Sequence, residues 1–493
     1  MVRQSIFLLM ASLAIVCNAR QHVGADGSGK LPPALSSCYG TGYAGKTDEL
    51  RCVASQSRQR ESARTGGYVH AVLTQAGTLS DVIGDKILDI DSVTVEGPVN
   101  EADFTTLWKS SLEGHLKVIN LLKAEVENGM IPAKAMFHPD EQVDWDAGFV
   151  RVPSLEKLIL PEGTVEIGEF AFSYATFLTD LGLPPTVKKI GDSAFSHCVR
   201  LAPDPFVLPE SLEEIGEQAF YECRGLKGEV VLPPSLRILD SGAFYLCGVS
   251  KADLPPALEY LSCFVFAGCN LKEASLPDDC YLCPHGSQFS GNWLMEKAHI
   301  PDNTSFVPDF MFNDCMSLSE VNIPSRAESI GDNAFHYTSI SQLELPGSLK
   351  TIGHDAFGSC RKLSAITLPA SLTNIGDGAF ENCSAVGAIY SHPSLPPVAD
   401  VYGDRQPDPF RYIPHAIPVY IPKGSKEYYC VATGWEQFSN FVETDRFPFS
   451  SVESVIAGCK EDGVIYDISG RIIQTPVPGQ IYIRGGKKMI SKQ

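Results

Sequence analysis

From about residue 151 to 385, apolar positions recur in one fixed phrase. Leu363, Ile366, Leu368, Pro369, Leu372, Ile375, Gly376, Ala379, Phe380 and Cys383 mark a clear copy. The opening L-x-x-I-x-L alternates as a half-buried strand does. Proline then ends the strand, because it cannot donate to a ladder. The apolar residues three and six positions after the proline point back inward. The glycine often found next permits a turn, and Ala-Phe closes the far side of the coil. The anchor aromatics are Phe172, Phe195, Phe220, Phe244, Phe266, Phe289, Phe312, Phe335, Phe357 and Phe380, 22 to 25 residues apart. A proline stands eleven residues before each, except Pro277, which is displaced by one. No coil can bury its apolar face alone, so the pattern predicts a stacked solenoid with one continuous core and one parallel sheet. At ~4.8 Å between neighbouring strands, ten coils give a sheet roughly 48 Å long.

This phrase resembles the leucine-rich repeat of BspA-like surface proteins of Bacteroidota, whose signature is L-P-x-S-L-x-x-I-G-x-x-A-F-x-x-C. The resemblance implies a right-handed, β-rich leucine-rich-repeat solenoid of about 23-residue coils with its parallel sheet on the concave face. Two places depart from the signature. Thr164 replaces the usual leucine three residues after Pro161, and the coil from Leu276 to Met295 is irregular.

The flanks divide the chain further. Arg3, the apolar run Ile6 to Val16 and the small-x-small triplet ending at Ala19 read as a signal peptide over 1–19. A lipoprotein site at Cys17 is a second export reading. Residues 20–65 read as a mobile segment in which Cys38 and Cys52 could pair. Residues 66–150 read as an N-terminal cap: Tyr68 to Leu73 alternates like a strand, and Asn100 is placed to cap a helix to about Leu112. Residues 76–84 resemble a common N-terminal segment of BspA-like proteins. The repeats occupy 151–390. Over 391–445 the period fades into a C-terminal cap, with a strand near Val419 and an aromatic lid at Trp435 and Phe438. Residues 446–493 read as a small β module of short strands with Gly-rich turns, from Gly463 to Arg471 and from Gly479 to Lys488. This tail resembles the sorting domains of type IX secretion, which implies contact with the secretion machinery. A terminal module packed on the solenoid is the alternative.

Net charge is −20, which disfavours nucleic acid and anionic membranes as partners. No apolar run is long enough for a transmembrane helix.

Seven cysteines, Cys198, Cys223, Cys247, Cys269, Cys315, Cys360 and Cys383, each lie three residues after an anchor Phe. A shared phase lines them up along the stack, whereas metal or redox chemistry needs ligands converging on one point. They read as small buried thiols whose parallel aim disfavours disulfides. Cys280-x-x-Cys283 falls at inward positions counted from Pro277 and reads as core filling. Cys430 and Cys459 are left open. With no hydrolase elbow, zinc-protease motif or phosphate loop, no catalysis, metal or cofactor is expected.

What remains is surface. The strand positions between inward residues are Lys251 and Asp253, Glu273 and Ser275, Lys297 and His299, Glu320 and Asn322, Gln342 and Glu344, Ala365 and Thr367. They form a mixed, mildly acidic concave ribbon, either plainly solvated or a recognition strip of the kind solenoids use. The resemblance implies a secreted or outer-surface protein that contacts an extracellular protein or glycan. The other reading is a cell-envelope spacer with no ligand.

Overall fold

The computed structural model describes residues 51–54, 67–144, 149–403, 406–445 and 447, and three short strands beyond residue 464; for 51–54 and those three strands only the backbone is described. The signal peptide, Cys17, Cys38 and Cys459 lie outside the described residues.

The chain is a parallel β-solenoid of leucine-rich repeats. Each regular coil has two short extended segments and one turn. The first segment is the L-x-x-I-x-L stretch, as in Glu273–Ser275, Lys297–His299 and Ile366–Leu368. The second comes after the proline, as in Lys189–Ile190, Glu214–Ile215 and Ile238–Leu239, with the isoleucine or leucine inward. One parallel sheet was expected, and the coils instead carry two strand columns. The post-proline column runs unbroken through seven strands from Met130–Ile131 to Tyr281–Leu282, and resumes as five from Phe306–Val307 to Val398–Asp400. The physical reason is that the inward residue and its neighbour are extended enough to exchange backbone bonds with the next coil, although two residues are too short to show alternation.

The anchors fill the third side. All ten are buried. Their rings stack coil on coil with centroids 5.2–6.3 Å apart and planes within 20° of parallel. The turn around each anchor is made by left-handed residues two before and two after it, such as Ser193 and His197 or Asp355 and Ser359. The glycine after the inward isoleucine serves another purpose than the one expected. Gly191 has no positive φ. A Cβ there would lie 2.7 Å from the Ile167 carbonyl oxygen of the preceding coil, so the residue must be small for the coils to approach.

At the N-terminal end, Gly67–Val72 and Ile90–Val99 join the first strand column, and the helix Glu101–Leu112 covers the open core with Phe104, Leu107, Trp108 and Leu112. Asn100 caps it as expected: its side chain accepts from Ala102 N and the Asp103 carboxylate accepts from Asn100 N. Asp103 also accepts from Gly77 N and Leu79 N, which ties the 76–84 segment to the helix. Within the segment 20–65, Arg51–Ala54 pairs in parallel with Phe149–Val152.

At the C-terminal end the aromatic stack does not stop at Phe380. Phe410 adds an eleventh parallel ring at 6.0 Å, and Trp435 and Phe438 then meet it edge-on at 4.8 and 5.5 Å. Tyr429 beneath them donates to the Pro393 carbonyl at 2.8 Å, and Trp435 Nε1 donates to that of Pro397 at 3.2 Å. Parallel stacking could continue into another molecule; the edge-on rings end it. Beyond this cap, Ile465–Asp467, Ile481–Arg484 and Lys487–Ile490 pair as a small antiparallel sheet.

Candidate binding surface

The strip residues stand where the first strand column brings them. Around buried Ala252, Ala274, Ala298 and Leu343, the side chains of Lys251, Asp253, Glu273, Lys297, His299, Gln342 and Glu344 are exposed, as is Glu320. Strand register sets Glu273 beside Lys297 and Lys297 beside Glu320. Gln342 and Glu344 lie outside any strand.

The charges are compensated along the stack. Lys251 Nζ lies 2.6 Å from Glu229 and 3.3 Å from Asp253, and Lys297 Nζ lies 2.9 Å from Glu320. The Glu229 carboxylate, hydrogen-bonded to Lys251, raises the lysine pKa, and Glu320 does the same for Lys297. These exposed pairs add little stability. They orient the lysines and leave Glu273, Gln342 and Glu344 as the more available groups. Asn322 is not one of them. Half-buried, it accepts from Ile300 N at 2.9 Å and donates to Ile300 O at 2.6 Å, standing in for a backbone strand.

The ribbon also runs further than the sequence indicates. Strand pairing places Thr367 beside Tyr390 and Tyr390 beside Tyr420, whose rings stack at 5.0 Å. Tyr390 falls after the last regular repeat, so a reading that stops at Phe380 misses it. The signal available was the apolar-aromatic pair Ile389-Tyr390 in strand phase.

The seven repeat cysteines are free, buried and in column. Each thiol donates to the carbonyl of the anchor Phe one coil back: Cys198 to Phe172, Cys223 to Phe195, Cys247 to Phe220, Cys269 to Phe244, Cys315 to Phe289, Cys360 to Phe335 and Cys383 to Phe357, at 3.0–3.4 Å. Where Asn292 replaces cysteine, its amide donates to Phe266 O at 2.8 Å. Burial pushes the Cys360 thiol up to about 11 and Cys223, Cys247 and Cys269 well above their ordinary range. A thiol so held is a poor nucleophile and a poor metal ligand.

Cys283 corrects an expectation. It does not fill the core but forms a disulfide with Cys263 of the preceding coil, with Cα atoms 5.8 Å apart. The true inward residue of that coil is Leu282, paired with Leu261, so counting from the displaced Pro277 is off by one. Cys263 lies two residues beyond its inward leucine and Cys283 one beyond. The two side chains are therefore not parallel, and the objection that holds for the ladder does not apply. Cys280 is a free, half-buried thiol packed against the core, raised by burial to about 11. Cys430 is free and exposed. Among the described residues no three His, Cys, Asp or Glu converge as a metal site, and no helix is long and apolar enough to cross a membrane.

Comparison with known proteins agrees with this geometry over the repeats. Residues 146–272 and 285–395 match the family model of the BspA type leucine rich repeat region, in six copies. Over these two stretches the chain is similar to BspA-type repeats. The matched stretches make a little under half of the chain and omit residues 273–284, which carry Cys280 and Cys283. No curated protein matches the sequence. Among solved structures, the chain is similar to a leucine-rich repeat protein from Bacteroides ovatus, with 22% identity over 57% of this chain and 83% of that one and a TM-score of 0.35. A leucine rich cell surface protein from Faecalibacterium prausnitzii gives 16% identity, 70% and 88% coverage and a TM-score of 0.36. The pneumococcal vaccine antigen PcpA gives 18%, 72% and 95%, with a TM-score of 0.40.

Proposed function

We propose that this chain is a secreted or outer-surface binding protein that recognises an extracellular protein or glycan, without catalysis, through the ribbon from Lys251 to Glu344 and on to Tyr420. The observation that carries the reading is the ribbon itself. The coils hold a row of exposed polar side chains, strand-paired from Glu273 to Glu320 and again from Thr367 to Tyr420, ending at a stacked tyrosine pair. Such an extended, pre-organised surface suits a long partner. Capture of matrix proteins and glycans from defined arrays by the whole protein tests it. Replacing Glu273, Gln342 and Glu344 by alanine should abolish the captured signal, and unchanged capture would move the site elsewhere.

A second reading is favoured by one observation, the lateral pairing of Lys251 with Glu229 and of Lys297 with Glu320. Charges satisfied within the stack suit a spacer that binds nothing. In that case no array component is retained.

We further propose that 1–19 directs export and that 446–493 is read by a secretion machinery. The aromatic stack is closed by Trp435 and Phe438, so the ring column is complete before the tail begins, although Phe447 at the head of the tail stacks on His392 with centroids 4.0 Å apart. Deleting 446–493 should leave the melting temperature unchanged and stop surface delivery; normal delivery would refute the sorting role.

A further inference from the structure

Between the thiol column and the next inward residue, a coil usually holds two residues. They are Arg224 and Gly225 before Leu226, Trp293 and Leu294 before Met295, and Met316 and Ser317 before Leu318. Two consecutive coils hold only one, Gly248 before Val249 and Asn270 before Leu271. The missing residues lower the wall of the solenoid there and leave a groove of about 460 Å³. Arg224 and Lys227 line it on the N-terminal side, Lys272 and Leu294 on the C-terminal side, with Leu246 and Gly248 between.

The groove is unlike the rest of the surface in two ways. Every charged group lining it is a cation, in a chain of net charge −20. Arg224 is paired with Glu222 at 2.9 Å, while Lys227 and Lys272 have no acid within ion-pair reach among the described residues. Its apolar lining is open: Leu294 is 51% exposed, and the residue before it in the chain, Trp293, is 64% exposed. Large apolar side chains gathered in this way on a soluble surface mark contact sites.

We propose that this groove docks an acidic peptide segment of a partner protein. A bulky apolar side chain sits against Leu246, Leu294 and Trp293, and flanking carboxylates meet Lys227, Lys272 and Arg224. Charge complementarity sets the acidity. The neutral polar lining sets the class: besides Ser250 it is Asn270, whose amide already donates to Gly248 O at 3.3 Å. A hydroxyl-rich anionic sugar would find few partners there, and unpaired hydroxyls are costly. The site borders the ribbon, with Ser250 and Lys272 preceding Lys251 and Glu273, but it uses other side chains and stands or falls independently of it.

Fluorescence anisotropy on the full chain tests the proposal with three probes. They are a labelled peptide of aspartates and glutamates around a central leucine, its counterpart with lysine at every acidic position, and a hyaluronan oligosaccharide. The acidic peptide should bind saturably and more weakly as salt rises. Lys227→Glu with Lys272→Glu should weaken it by at least about tenfold, and Trp293→Ala with Leu294→Ser by a similar factor. All four side chains are exposed, so melting curves should match the parent. Should a charge-reversed form fail to fold, Lys227→Gln with Lys272→Gln takes its place. Lys350→Ala, an exposed lysine of a later coil outside both the ribbon and the groove, should change nothing. No saturable binding of the acidic peptide, equal binding of the basic one, tighter binding of hyaluronan, or indifference to the lysine changes would each overturn the proposal.

Discussion

The thiol of Cys360 donates to the carbonyl oxygen of Phe335, one coil earlier, at 3.3 Å. The same bond recurs between Cys383 and Phe357 and at five other steps of the stack. It explains why cysteine, rather than alanine or serine, recurs three residues after the anchor. The site is buried, its carbonyl already accepts one backbone N–H (Thr338 N to Phe335 O at 3.3 Å) and has a second lone pair to offer, and a thiol is both small and apolar enough to be buried beside it. Cys360→Ala should therefore cost on the order of 1 kcal/mol, the loss of a second hydrogen bond to a carbonyl that keeps its bond from Thr338 N, together with a small void. Urea unfolding checks the stability. Alkylation provides the chemical counterpart: the seven thiols should resist it in the native protein and all react once denatured. Finding most of them in disulfides would refute the ladder.

Phe410 is an eleventh member of the ring stack, 30 residues after Phe380 rather than 23. Phe410→Ala should destabilise by roughly 3–5 kcal/mol, as Phe357→Ala should, because each empties a fully buried aromatic site. The two differ in their neighbours. Phe357 has a ring on both sides, whereas Phe410 carries Trp435 and Phe438, so its loss should also expose the tryptophan. Tryptophan fluorescence and quenching in the folded variant would report that. A loss below about 1 kcal/mol would show that the cap, not the ring, closes the core.

The contrast between these residues shows what was legible beforehand. Ten anchors at one spacing reveal the solenoid, because each coil must bury the same side chain at the same place. Phe410 is hidden by the insertion before it. The second strand column is hidden because Glu214–Ile215 and its neighbours are two residues long, and alternation needs more. Asn322 reads as a solvated strip residue, yet its amide mimics the backbone it faces, and nothing in composition separates those roles. The start of the helix Glu101–Leu112 was legible to the residue, and its end approximately, because the start is set by a local cap.

The Cys263–Cys283 disulfide closes a loop of 20 residues at the last strand of the seven-stranded column, where pairing to the next coil ceases. Reduction should lower stability by about 3 kcal/mol on loop-closure grounds. Cys263→Ser should reproduce this and become insensitive to reductant. The check is a pair of melting curves, with intact mass after alkylation to count thiols. Two free thiols in the untreated protein at these positions would refute the link.

Asp309 begins a polar column along the C-terminal coils. Its Oδ1 accepts from Asp332 N at 2.9 Å, and the Asp332 carboxylate accepts from His354 N at 2.7 Å. His354 Nδ1 accepts from Asp377 N at 3.0 Å, and Asp377 accepts from Asp408 N at 2.7 Å. The column satisfies backbone donors at the coil-to-coil step but stacks acids on one another. Burial, with the Asp332 charge adding to it, pushes Asp309 up to about 6 from 3.8. A carboxyl whose folded value is raised holds its proton more tightly when folded than when unfolded. Stability is then greatest below about pH 4, falls as pH rises through the window between the two values, and is flat above about pH 6. Asp309→Asn keeps the acceptor for Asp332 N and removes the charge. It should stabilise the protein near pH 7.5 by on the order of 1 kcal/mol after solvent screening, and by almost nothing near pH 4. Melting temperatures of parent and variant across that range decide the matter. A difference that does not change with pH would mean Asp309 is ionised at little cost, and a variant less stable at neutral pH would mean the charge itself strengthens the bond to Asp332 N.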